Sequence, residues 1–149
     1  MRKWFVFAAL IGGLVACGEA PDELGPYVNK VKDFQSYHKI FAQYQEYLQT
    51  DGMANKTNDL REQIENYKKD LETVPEIDSK HIRSAHNALI RTLDGTLIKL
   101  VQPDFPTYVP SARKQLKLIR EKVTIYNNNL KKLWVEAGKT ESFPLAFPE

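Results

Sequence analysis

The chain has 149 residues, 42% of them apolar and 27% charged, with a formal net charge of +2 and a single cysteine. That length and balance suit one globular domain with a core of its own, and a lone cysteine excludes a disulfide framework. So small an excess of bases gives no signal for nucleic acid, and no apolar run reaches the roughly 20 residues of an ordinary transmembrane helix.

The first element is a segregated start. Arg2 and Lys3 precede Trp4 to Ala16, a stretch without charge. A basic beginning, an apolar stretch of about a dozen residues and small residues before a cut site make a secretory signal peptide. A short buried helix is the competing reading, weakened by Gly12-Gly13 and by the charge placement. The stretch closes on Leu14-Val15-Ala16-Cys17, which resembles the lipobox of bacterial lipoproteins: an aliphatic residue, a tolerant position, a small residue and an obligatory cysteine. The resemblance implies that the Cys17 thiol carries diacylglycerol, that signal peptidase II cuts before it, and that residues 1–16 leave the mature chain. Small Ala16 lets the protease reach the bond, and only a thiol forms the thioether. The implied protein is anchored rather than spanning: each buried methylene of a palmitate-like chain contributes ~0.8 kcal/mol, so one chain holds marginally and several hold firmly. Gly18 and Glu19 stand where an aspartate often retains such proteins in the inner membrane. The resemblance therefore implies the outer membrane of a Gram-negative envelope, with the domain facing the periplasm. Loss of Arg2 and Lys3 leaves a mature chain with equal numbers of acids and bases.

Residues 17–26 read as the lipidated N-terminus and a polar linker of at most ~30 Å. A first helix is expected over Tyr27 to Thr50, where Phe34, Tyr37, Phe41, Tyr44 and Leu48 alternate at spacings of three and four, with Asp51-Gly52 as its stop. Leu60, Ile64, Tyr67, Leu71 and Val74 mark a second helix ended by Pro75. The third starts near Asp78-Ser79 and carries Ile82, Ala85, Leu89, Leu93, Thr96 and Leu100 on one face, with Gly95 as a soft spot suited to a close helix contact. The fourth begins at Pro110-Ser111, runs through Leu116, Ile119, Val123, Tyr126, Leu130, Leu133 and Ala137, and stops at Gly138. Asn127, Asn128 and Asn129 are expected on its wet side. These elements predict an all-α domain over 27–139, an antiparallel up-down four-helix bundle, followed by an irregular tail over 140–149 whose Phe143, Leu145 and Phe147 either pack back on it or form a short exposed peptide for a partner.

Catalytic and cofactor motifs are missing from this pattern: there is no P-loop, dinucleotide fingerprint, HExxH, GxSxG or CxxCH, and an acylated Cys17 is no nucleophile. The reading is non-enzymatic, with no cofactor beyond the covalent lipid and no nucleic-acid partner. Residues 111–139 hold eight bases against two acids, while 17–76 hold twelve acids against seven bases. The basic segment either complements the acidic ones or presents Lys114, Lys117 and Arg120 to an acidic partner or lipid. The stretch QPDFPTYVP reads as a stiff loop offering Phe105 and Tyr108 as a contact surface, or else capping the core. His38 and His86 both border the core at similar heights on helices expected to run parallel. They are either axial ligands of a haem or members of a metal site, or boundary histidines bonded to neighbours. The expected function is that of an accessory factor that binds an envelope protein; the alternative is a bundle that binds haem or metal through His38 and His86.

Overall fold

The computed structural model describes residues 23–49, 56–100 and 105–145, with the backbone alone for 105–108. The described residues form five helices: α1 (Leu24–Lys32), α2 (Gln35–Tyr47), α3 (Thr57–Glu72), α4 (Lys80–Leu100) and α5 (Phe105–Glu136). The described residues contain no strand. Cys17 and the Asp51-Gly52 stop lie outside them.

The single first helix expected from the sequence is two. It starts early, at Leu24, because Pro26 falls in the first turn, where a missing N–H costs no hydrogen bond. It then breaks at Asp33-Phe34, where Phe34 N bonds Val31 O at 3.1 Å and Tyr37 N bonds Phe34 O at 3.0 Å. These i to i+3 bonds wind a tighter turn of about three residues. Val31, Phe34 and Tyr37 are themselves three apart, so the tight turn brings all three toward the core, with Val31 and Phe34 fully buried.

The remaining helices follow their apolar stripes. Leu60, Ile64, Tyr67 and Leu71 are buried on α3, and Ile82, Ala85, Leu89, Leu93 and Leu100 on α4. Ser79 caps α4 as its sequence suggests, its hydroxyl accepting from Ile82 N at 3.4 Å. Helix α5 begins five residues before the expected Pro110, so the QPDFPTYVP stretch is helical from Phe105 onward and not a loop. Pro106 suits a first turn, and Pro110 lies on the exposed side, where solvent can satisfy the carbonyl it leaves unbonded. Near its end the α5 stripe turns from the expected Leu133 and Ala137 to Trp134, four residues after buried Leu130. The Trp134 indole donates to Glu141 O at 3.0 Å and meets the Phe143 ring edge-on at 6.0 Å, which folds the tail back and buries Leu145. Gly138, at φ 68°, ends the helix in a Schellman turn closed by Gly138 N to Val135 O and Lys139 N to Trp134 O.

Two further expectations fail. An added Cβ at Gly95 would meet nothing within 4 Å, so this glycine marks no close helix contact. Asn127 is 2% exposed rather than wet, because it follows core residue Tyr126 on a helix whose buried arc is wider than a strict 3-4 seam.

The helices close a cycle of contacts: α3 packs on α4, α4 most extensively on α5, and α2 on both α3 and α5, more sparingly. Across α2 and α3, the Tyr37 hydroxyl donates to Asp70 at 2.6 Å; across α3 and α4, Lys68 pairs with Asp94 at 2.8 Å. Thr96 meets Gln115 and His86 meets Tyr126 across α4 and α5. The Arg113 guanidinium reaches Leu48 O, holding the carbonyl end of α2 against α5, where a cation suits the helix dipole.

Candidate functional site

Each histidine singled out by the sequence rests on a core tyrosine of another helix. His38 Nε2 lies 3.1 Å from the Tyr67 hydroxyl, and the Tyr67 ring packs among Phe34, Tyr37, His38 and Phe41. His86 Nδ1 lies 3.4 Å from the Tyr126 hydroxyl, which in turn bonds the Tyr27 hydroxyl at 2.5 Å. Burial governs the acidities. It pushes the His38 imidazole down to about 4, lowers His86 against an upward pull from Glu76, and raises Tyr67, Tyr126 and Tyr27. The result is neutral groups that share protons in hydrogen bonds, a satisfied polar network that fixes helix register. The structure thus assigns the two imidazoles to different tyrosines. Among the described residues no group of three or more His, Cys, Asp or Glu side chains is placed to hold a metal ion. His86 also lines a hollow of about 230 Å³ beside the α3–α4 connection, with Tyr27, Arg83, Asn87 and Glu76.

The sparing contact of α2 with α5 leaves a groove. His38, Phe41, Ala42 and Gln45 of α2 face Leu116, Ile119, Arg120 and Val123 of α5 across a narrow cleft of about 30 Å³. Beyond Gln45 and Arg120 the cleft opens onto a shelf of about 560 Å³ edged by Lys117, Glu121, Thr124 and Ile125. Phe41, Leu116, Ile119 and Val123 belong to the core and form the floor. Ala42 is exposed, and Ile125 is an apolar side chain left 48% exposed.

No family model, curated protein or solved structure matches this chain. The cleft and the shelf are defined by their own geometry.

That geometry gathers part of what the sequence singled out. Lys117 and Arg120 come together at the shelf, and Lys114 is exposed one turn earlier on α5. His38 sits at the opposite end of the cleft. Phe105 and Tyr108 lie in the first turns of α5, and their side chains are outside the described residues. Sequence reasoning missed Ala42, Gln45 and Ile125. The available signal was Ile125, an aliphatic residue off the core stripe of an otherwise polar face. No helix among the described residues is long and apolar enough to cross a membrane.

Proposed function

We propose that this chain is a lipid-anchored, non-enzymatic helical-bundle lipoprotein of the outer membrane, held by acyl chains on Cys17, whose periplasm-facing domain binds an envelope protein. The anchor rests on the Leu14-Val15-Ala16-Cys17 box. The observation that carries the binding role is the shelf at the α2–α5 seam, where the half-exposed Ile125 lies beside Lys117 and Arg120. Pairings that run in opposite chain sense support reading the fold as an up-down antiparallel bundle: His86 with Tyr126 and Thr96 with Gln115, Tyr27 with Tyr126 and Leu48 with Arg113. The tyrosine hydroxyl contacts of His38 and His86 favour the protein-binding reading over the haem or metal alternative.

With α1 beginning at Leu24, six residues separate the acylated cysteine from the first helix, at most about 25 Å. The domain then works close to the lipid surface. Cys17→Ala tests the anchor. In cells fed an alkynyl palmitate, the wild type incorporates label and sediments with membranes. The variant is expected to lose the label and leave the membrane fraction, and an unlabelled wild type contradicts the proposal.

A further inference from the structure

We propose that the outer ridge of α5 seats in a concave, carboxylate-lined groove of a partner protein, with Ile125 and Val135 as its two apolar anchors and Lys114, Lys117 and Lys132 meeting the partner's acids. This names the partner chemistry of the protein-binding surface and rests on that reading, the shelf being the part of the ridge beside α2.

The ridge follows from helix geometry. At about 100° per residue, Lys114, Lys117, Ile125, Asn128, Lys132 and Val135 fall within an arc of about 80°. All six are exposed, while Leu116, Ile119, Val123 and Leu130 occupy the core side of the same helix. Ile125 is 48% exposed and Val135 66%, so each offers accessible apolar surface, about 15 Å apart along the axis. Among the described residues Lys114 and Lys117 have no ion-pair partner. Lys132 holds Glu136 at 3.8 Å with both side chains largely in water, a weak pair that a partner's carboxylate can exchange.

Charge and shape select the occupant. A second copy of the same ridge would set lysine against lysine. A lipid surface would present anionic groups along the whole stripe, yet exposed Glu121 and Glu136 lie on or beside the same arc and would be repelled. A protein can place a different group opposite each position, which suits a face that alternates base, acid and aliphatic. Shape calls for concavity. The convex arc from Lys114 to Val135, about 32 Å long, presents on the order of 500 Å², below the ~800 Å² per partner of a stable interface. A flat partner would touch only the tips, whereas a groove also covers the flanks. On the α2 flank Ala42 is small and exposed, so the edge of such a groove can pass over the seam.

The test places benzoylphenylalanine at position 121, 125, 128 or 135 of the full-length protein, and at exposed position 65 on α3 as the control, in intact cells. One and the same protein is expected to crosslink to all four ridge positions and not to position 65, through a segment rich in aspartate and glutamate when the adduct is sequenced by mass spectrometry. Lys117→Glu with Lys132→Glu should lower the adduct at position 128 at least tenfold with an unchanged melting temperature, and Lys117→Arg with Lys132→Arg should keep it. Ala42→Trp should lower the adduct at position 125 by obstructing the groove's edge. An adduct at 125 alone, untouched by Lys132→Glu, overturns the ridge while the shelf stands as a protein-binding surface. A shared adduct indifferent to the charge reversal overturns the acidic partner. Crosslinks to phospholipid or to a second copy of this chain overturn the proposal, and no protein adduct at any ridge position removes the protein-binding reading with it.

Discussion

His38 shows what one buried residue asks of this core. Its ring is held against Tyr67 in a neutral state, with its acidity pushed down to about 4 by burial. The unfolded chain takes up a proton at this position near 6.5, so between 6.5 and 4 the unfolded state binds more protons. His38's contribution to stability is therefore complete above pH 6.5 and is lost as pH falls toward 4, by about 3 kcal/mol at full protonation of the unfolded state. Burial shifts His86 in the same direction. Urea unfolding at pH 7 and pH 4.5 should show this loss, and His38→Gln should leave a shallower dependence carried in part by His86. The Tyr126 hydroxyl joins Tyr27 to His86. Tyr126→Phe leaves the buried Tyr27 hydroxyl and the half-buried His86 ring short of a partner and should cost about 1–3 kcal/mol in the same measurement.

Elements in this chain end where chemistry stops them, and two glycines on different backbones make that measurable. Gly95 lies inside α4 with open space around an added Cβ, whereas Gly138 holds φ 68° at the end of α5. Gly95→Ala should raise stability by about 0.5–1 kcal/mol through the backbone entropy that glycine loses. Gly138→Ala should lower it by about 1 kcal/mol, since a side chain opposes the left-handed conformation. Opposite shifts in melting temperature check the pair. The stripes of α3 and α4 were legible because their apolar residues recur at helical spacing without interruption. The α1–α2 break was legible in principle: Val31, Phe34 and Tyr37 are two successive threes, which a straight α-helix spreads over about 120° and a tighter turn brings into line. The start of α5 was obscured by Pro106 and Pro110, which read as loop residues until the helix is seen to place one in its first turn and the other toward solvent. Asn127 was misplaced because polarity was taken for exposure on an arc that tertiary contact makes wide.

For the whole molecule, the decisive feature belongs to no single segment. The groove arises where α2 meets α5, elements separated by more than fifty residues, so periodicity within either helix cannot reveal it. The charge asymmetry was visible, since the basic run over 111–139 contains Lys114, Lys117 and Arg120. Its meaning depends on which faces approach: folding puts Lys117 and Arg120 beside the exposed Ile125 at the α2–α5 seam instead of leaving them on a featureless surface. Folding also separates two exposed isoleucines, Ile125 at the groove with 48% exposure and Ile98 on α4 with 72%. If exposed apolar surface alone drew partners, Ile98 would be the stronger contact. The direct measurement places a photocrosslinking amino acid at each position in turn in intact cells. A discrete protein adduct from position 125, absent from position 98 and removed by Ala42→Trp, is the expected result. Equal or stronger capture from position 98, or an adduct at 125 indifferent to Ala42→Trp, would contradict the groove as the binding surface.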